Sequence, residues 1–496
     1  MKLEFRGHNE RYTVEQSLLN LFPGELPVYE SVRPETDQNW AIVSWREDVD
    51  EDGKKRGHAL VEMGWQGRSL PYSVGMPLDG TPYQQEGRKR YAIGSAFFLA
   101  YQKLTGSQPP WGMLTGVRPD KPAARAIAAG KPEAEAAKMM EETYFVSPSR
   151  AKLAAETGAM AAETAKGLEP RDIALYIGIP FCPTRCAYCS FVSQSVEKSL
   201  AMIPPYLDAL TEEIRGAGRL VREQGLRVRA VYMGGGTPTT LSAQQMHRIF
   251  TELETAFGLG LGLEITVEAG RPDTITAEKL NVLRDSGVTR ISVNPQTMEA
   301  HVLEAIGRRH SPGDIGRAME LVEAAGFPHV NMDLIAGLPE DSPEGFRRSL
   351  EACLRFGPDN LTVHTLALKK GSRILTEGLA VPGPGAVAEM LDYAEPALRN
   401  AGYAPYYLYR QKYMSGSFEN IGWTRPGAEC WYNIVIMSEL CSILSLGAGG
   451  STKMVEPGAN HIRRAFNPKY PKEYAERPEK WRANQRAFAE FYRELG

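Results

Sequence analysis

The chain has 496 residues, 43% of them hydrophobic and 24% charged, enough to bury the cores of two or three domains. Its 57 lysines and arginines nearly balance 60 aspartates and glutamates, leaving a formal charge of −3, so nothing global attracts it to nucleic acid or an anionic membrane. No apolar run reaches the ~20 residues of a membrane span, and the N-terminus M-K-L-E-F-R-G-H-N-E lacks the apolar stretch of a secretory signal.

Residues 1–120 read as a β-rich α+β domain. Two strands, 40–45 and 58–63, flank the polar turn R-E-D-V-D-E-D-G-K-K-R-G. Asp48, Asp50, Asp52 and Gly53 match the first half of a calcium loop. Its twelfth position is Ala59, where a bidentate glutamate belongs, so a solvated hairpin turn is expected. An apolar helix over 91–104 follows. The prolines and glycines of P-P-W-G-M-L-T-G-V-R-P-D-K, 109–121, then bar a regular element. Residues 121–169, rich in Ala, Glu and Lys, read as a helical connector of two or three helices.

From residue 170 short apolar runs alternate with amphipathic stretches. Strands are expected over 173–179, 229–233, 263–268, 289–293, 329–334 and 360–366. Helices are expected between them, over 204–224, 242–256, 276–286, 313–326 and 343–355. Six such units over 170–375 imply an α/β fold, a (β/α)6 partial TIM-type barrel whose ligands gather at the C-terminal strand ends. Residues 376–496 are expected to cover that mouth. There Y-A-P-Y-Y-L-Y-R-Q-K-Y, 403–413, joins aromatic faces to Arg410 and Lys412; a half-buried strand and a surface for a flat carboxylate-bearing ligand both fit it. Trp481, Phe488, Phe491 and Leu495 fall on one helical face and read as core.

Six cysteines, three clustered and three scattered, form no disulfide framework, so a reducing cytoplasm is the expected location. Cys353, Cys430 and Cys441 sit among apolar neighbours and read as small hydrophobes. Cys182, Cys186 and Cys189 are spaced C-x3-C-x2-C directly after the first strand of the repeating region. Three thiolates on one loop can converge on a metal centre. A closed zinc site would want a fourth ligand, and no further Cys or His lies nearby. A zinc loop and an incidental cluster of buried cysteines are the other readings of the spacing.

With Tyr188 before the third cysteine, the pattern resembles the signature of radical S-adenosylmethionine (SAM) enzymes. The resemblance implies a [4Fe–4S] cluster on the three cysteines, with SAM bound at the open iron and cleaved to a 5′-deoxyadenosyl radical. Residues at the other strand ends agree with a ligand site. Gly234-Gly235-Gly236-Thr237 follows the second strand, Glu268 ends the third, Gln296 follows the fourth with Arg308 twelve residues on, and Asp333 closes the fifth. The glycines allow close backbone approach and amide donors, a carboxylate can hold ribose hydroxyls, and an arginine can pair with a carboxylate.

In their order, C-P-T-R-C-A-Y-C, G-G-G-T-P-T, R-I-S-V-N-P-Q-T and N-M-D-L-I-A-G-L-P-E resemble the oxygen-independent coproporphyrinogen III oxidases, and the long N-terminal extension resembles the HemZ-type coproporphyrinogen dehydrogenase branch. The resemblance spans roughly 170–450. It implies that Tyr176 packs against SAM, that Gly235, Gly236 and Thr237 bind its amino acid end, and that Arg308 binds its carboxylate. Glu268, Gln296 and Asp333 would complete the pocket. The implied reaction is oxidative decarboxylation of two coproporphyrinogen III propionates to vinyl groups, giving protoporphyrinogen IX; the implied partners are a tetrapyrrole and an unidentified electron donor. Two positions depart from family members with decarboxylase activity: Gly178 stands for a histidine and Phe191 for a fourth cysteine. A branch without that cysteine acts as a heme chaperone, which is a second reading; a radical SAM RNA modifier is a third, and the short basic segments 88–90 and 219–229 give it little support.

Overall fold

The computed structural model describes residues 1–189, 194–195, 199–260, 262–369, 371–411, 414–456 and 462–495. They divide into two compact units, Met1–Ala155 and Glu156–Gly496. Among the described residues no helix is long and apolar enough to cross a membrane.

In the first unit β1 (Lys2–Arg6), β2 (Val28–Tyr29), β3 (Trp40–Val49), β4 (Lys55–Trp65) and β5 (Arg68–Pro77) form one sheet in the order β2-β1-β3-β4-β5. β3, β4 and β5 make an antiparallel meander. Its first turn is the hairpin expected from sequence: Asp50 Oδ1 accepts the backbone N–H groups of Asp52 at 3.1 Å and Lys54 at 2.8 Å, an Asx turn in place of a calcium loop. Helices Arg11–Leu21 and Pro82–Thr105 bury Val14, Leu18, Phe97 and Phe98 in one core with Val43, Val61 and Met63 of the sheet. A capping box between Thr81 and Gln84 starts the longer helix. The connector segment supplies helices Lys121–Ala128, Glu133–Tyr144 and Pro148–Lys166.

The strands of the second unit begin with β6 (Asp172–Ile179) and a small pair, β7 (Phe181–Cys182) and β8 (Gln194–Ser195). It continues through β9 (Arg227–Gly235), β10 (Glu264–Glu268), β11 (Arg290–Ser292), β12 (His329–Ala336) and β13 (Asn360–Thr365). With β6, these five lie side by side and all parallel. Helices Ile203–Glu223, Ala243–Phe257, Ala277–Asp285, Pro312–Ala325 and Pro343–Phe356 make the crossovers. Strands covered on both faces read as continuous apolar runs, which is why all six were visible in the sequence. This is the partial TIM-type barrel.

The C-terminal segment adds β14 (Ala404–Tyr409), β15 (Asn420–Thr424), β16 (Ser442–Leu446), β17 (Ser451–Val455) and β18 (Ile462–Phe466). Rather than only covering the mouth, they extend the sheet at both sides. β15 pairs antiparallel with β13, and β16 pairs parallel with β6, giving the order β14-β15-β13-β12-β11-β10-β9-β6-β16-β17-β18. The aromatic run is β14, although Lys412 lies outside the described residues. The helix Pro478–Glu494 buries Trp481, Phe488 and Phe491. Leu495, expected on that face, is exposed, because the helix ends one residue before it.

Candidate active site

All twelve site residues expected from sequence line one cavity of about 440 Å³ at the C-terminal ends of the parallel strands. The cluster loop leaves β6 through Pro180 and is held from several sides. Ala187 N–H donates to Ile306 O at 2.9 Å, Ile374 N–H to Ala187 O at 3.3 Å, and the Arg185 guanidinium to Gly371 O at 3.1 Å. Cys186 is buried, while Cys182 and Cys189 are half-buried; none is in a disulfide. Thr237 donates its hydroxyl to Cys182 Sγ at 3.6 Å, and Arg271 Nη1 reaches Cys186 Sγ at 3.7 Å and Thr184 Oγ1 at 3.1 Å. Burial raises the Cys186 thiol pKa, but the guanidinium groups of Arg308 and Arg271 outweigh it and hold the thiol below its ordinary value. By contrast, burial pushes the scattered thiols up, Cys441 to about 12, as befits small hydrophobes. Among the described residues no three His, Cys, Asp or Glu side chains close on a single-ion site. Ligands of a cluster do not need to, since each thiolate takes a different iron.

The glycine strip works differently from the sequence expectation. Its amides are already engaged: Gly236 N–H donates to Ile179 O and Thr237 N–H to Phe181 O, both at 2.7 Å, and Gly235 N–H to the Glu268 carboxylate. A Cβ on Gly236 would stand 2.5 Å from Phe181 O, and Gly235 has φ +103°. The glycines therefore let the end of β9 lie flat against the cluster loop. The strip can meet an ammonium group through carbonyls and not a carboxylate through amides.

Glu268 ends β10 and accepts the Tyr232 hydroxyl at 2.6 Å; burial pushes its carboxyl up to about 7. Asp333 does not close its strand, since β12 runs on to Ala336. Burial would raise Asp333, yet the His364 imidazole, 3.8 Å away, and the Asn331 amide at 2.9 Å keep it below the usual carboxylate value. Arg308 is buried and donates to Asn294 O and, at 3.2 Å, to the Tyr188 hydroxyl, with no carboxylate partner among the described residues. Gln296 holds a left-handed backbone at φ +69°, tied by Gln296 N–H to Asp333 O at 2.9 Å. Gln296 Oε1, Arg308 Nε and the Tyr432 hydroxyl are buried with no partner among the described residues. These orphaned groups are what a bound polar ligand would satisfy.

Residues that sequence reading missed form the remaining walls. Arg271 stood in the A-G-R-P-D run after Glu268 without a role. His364 and Lys369 follow from β13, and Tyr432, Ile436 and Met437 come from the C-terminal segment, beside Tyr407 and Tyr409 of the aromatic run that the sequence offers as a ligand surface. Tyr176, Tyr232 and Tyr432 stack in series, with centroids 6.3 and 4.6 Å apart. Gly178, the first departure, packs backbone to backbone against the turn after β16: a Cβ there would lie 3.0 Å from Ala448 O and 3.5 Å from Leu446 O. Phe191, the second, lies outside the described residues.

The profile of the Radical SAM superfamily matches residues 176–353. The oxygen-independent coproporphyrinogen-III oxidase-like protein HemZ of Bacillus subtilis is 34% identical over 486 residues, 96% of this chain and 95% of that protein. The heme chaperone HemW of Mycobacterium tuberculosis is 31% identical over 321 residues, 62% of this chain and 76% of that protein. In the solved structure of Escherichia coli coproporphyrinogen III oxidase (HemN), a radical SAM enzyme, a similar fold covers 65% of this chain and 72% of that one, with a TM-score of 0.52 at 24% identity.

Proposed function

Because the chain belongs to the radical SAM oxygen-independent coproporphyrinogen III oxidase family, in its HemZ-type branch, we propose that it decarboxylates the propionates of coproporphyrinogen III to vinyl groups, giving protoporphyrinogen IX. The family's cofactors are a [4Fe–4S] cluster and SAM. Cys182, Cys186 and Cys189 would hold the cluster. Arg308 would take the SAM carboxylate, the glycine strip its ammonium, and Glu268, Gln296 and Asp333 its remaining polar groups, with Tyr176 and Tyr188 packed beside it. When bound, this pair supplies hydrogen-atom abstraction from a propionate carbon.

One observation carries the reading: the three cysteines and an aromatic and apolar wall, Tyr407, Tyr409, Tyr432, Ile436 and Met437, line the same cavity. A flat macrocycle on that wall would keep water from the reacting carbon and present its edge to the cluster loop. The orphaned Gln296 Oε1 and Arg308 Nε would meet the amino acid end of SAM. Each propionate would need one electron from an external donor to cleave SAM and an external acceptor for the electron that the substrate radical gives up as CO2 leaves.

Anaerobic turnover tests the proposal. The reconstituted protein is given SAM, a reductant and coproporphyrinogen III, and products are separated by chromatography. Deoxyadenosine together with the divinyl product is expected. Deoxyadenosine with unchanged substrate, alongside stoichiometric heme binding, would replace the enzyme with a heme chaperone.

A further inference from the structure

Four side chains that carry or can carry positive charge line the cavity: Arg271, Arg308, His364 and Lys369. Protein acceptors engage three of them. Arg271 is held by Asp273 at 3.1 Å and Thr184 at 3.1 Å. Arg308 is held by Asn294 O and the Tyr188 hydroxyl. His364 lies 3.8 Å from Asp333 and 3.4 Å from the Tyr409 hydroxyl.

Lys369 differs. Among the described residues its ammonium has no hydrogen bond and no ion pair, although the side chain is half-buried in the cavity wall. The Cys189 sulfur is the anionic group that acts on it. An ammonium that has lost part of its water without gaining an acceptor is costly unless a ligand supplies one. The segment presenting it is anchored, with Ser372 N–H donating to Lys369 O at 3.0 Å, Arg185 to Gly371 O at 3.1 Å, and Ala367 bridging Met414. A fixed backbone carrying an ammonium that, among the described residues, has no hydrogen bond and no carboxylate beside it is arranged for an anion that arrives with the substrate.

We propose that Lys369 is a carboxylate subsite whose ammonium pairs with one propionate of the tetrapyrrole; this rests on the functional reading above. An ion pair stabilises a carboxylate against loss as CO2, so the propionate held is one that the reaction leaves intact. Gripping it at the cluster end fixes which neighbouring propionate faces the reacting position. Lys369 is thereby a determinant of substrate orientation. The carboxylate of SAM has the same chemistry, and the test separates the two.

Coproporphyrin III, its tetramethyl ester and SAM are titrated separately into full-length reconstituted protein, Lys369→Met and Lys369→Arg. Porphyrin binding is read by fluorescence and SAM binding by equilibrium dialysis. Losing one charge-assisted hydrogen bond should weaken coproporphyrin III binding to Lys369→Met about tenfold or more. Lys369→Arg should recover part of that loss, ester and SAM affinities should not change, and the cluster EPR spectrum should match that of the unmodified protein. A tenfold loss for SAM with unchanged porphyrin affinity would move the amine to the SAM carboxylate and overturn the proposal. Equal porphyrin affinity in Lys369→Met and the unmodified protein would overturn the subsite while leaving the functional reading in place. If the unmodified protein binds neither porphyrin, that reading falls and the subsite with it.

Discussion

Cys186 is the buried thiol of the three on the cluster loop, and two guanidinium groups stand against it. Cys186→Ala should abolish iron–sulfur absorbance and SAM cleavage while far-UV circular dichroism stays unchanged, because Arg271 keeps Thr184 and Asp273 as partners. Full cluster content in that variant would refute the ligand assignment. Gly178 makes a different kind of prediction. A methyl there meets Ala448 O at 3.0 Å, so Gly178→Ala should cost about 1–3 kcal/mol in denaturant unfolding through overpacking, and a histidine more. A midpoint equal to that of the unmodified protein would show that the turn after β16 yields freely. At this scale the cysteines and the glycine strip were legible because each is a contiguous run whose spacing is its chemistry. Arg271, His364 and Lys369 were not: single residues with no spacing signal, they become site residues only when strands far apart in sequence meet at one end.

Two helices each depend on one acid, half-buried Glu264 in one case and buried Glu213 in the other. The helix Trp431–Ser438 carries Tyr432, Ile436 and Met437 into the cavity, and Glu264, at the start of β10, caps it. Its carboxylate accepts the N–H groups of Trp431 and Tyr432, both at 2.8 Å, against the positive end of the helix dipole. Glu264→Ala should lower stability by about 1–2 kcal/mol and weaken porphyrin binding while leaving SAM affinity alone; equal loss for both ligands would mean the helix supports the whole site. On the other side of β6, Glu213 of the helix Ile203–Glu223 accepts from Gly447 N–H at 2.7 Å, Asn467 Nδ2 at 2.8 Å and the Tyr474 hydroxyl, tying four segments together. Burial pushes its carboxyl up to about 7. Its folded-state pKa therefore exceeds the unfolded ~4.3, so the native state binds more protons between those values. Stability should be greatest below about pH 4.5 as far as Glu213 is concerned, and fall as pH rises to 7, by on the order of 3 kcal/mol. Glu213→Gln should flatten that part of the pH–stability curve, and an unchanged slope would assign it to other groups.

At the scale of the whole molecule, the six parallel strands and their crossover helices were readable because burial on both faces makes each strand a short unbroken apolar run. The C-terminal strands were not, since no local pattern says that β16 pairs with β6 more than 260 residues earlier, or that β15 crosses back to β13. Sequence reading made that segment a cover; in the fold it lines the cavity and also extends the sheet. The difference is testable by truncation. Removing everything after residue 375 would strip β6 of its neighbour β16 and β13 of its neighbour β15. It would also take away Ile421, Trp423, Ile443, Leu444 and Leu446, all buried. Two long apolar edges would then face water with unpaired N–H and C=O groups, the arrangement that drives strand-to-strand aggregation. A fragment of residues 147–496 should be soluble, bind iron on reconstitution and unfold cooperatively, because it contains the complete sheet. A fragment of residues 147–375 should aggregate despite holding all three cysteines and the whole (β/α)6 repeat. If the shorter fragment were monomeric and unfolded cooperatively, the C-terminal strands would be dispensable to the barrel after all, and their role would return to covering the site.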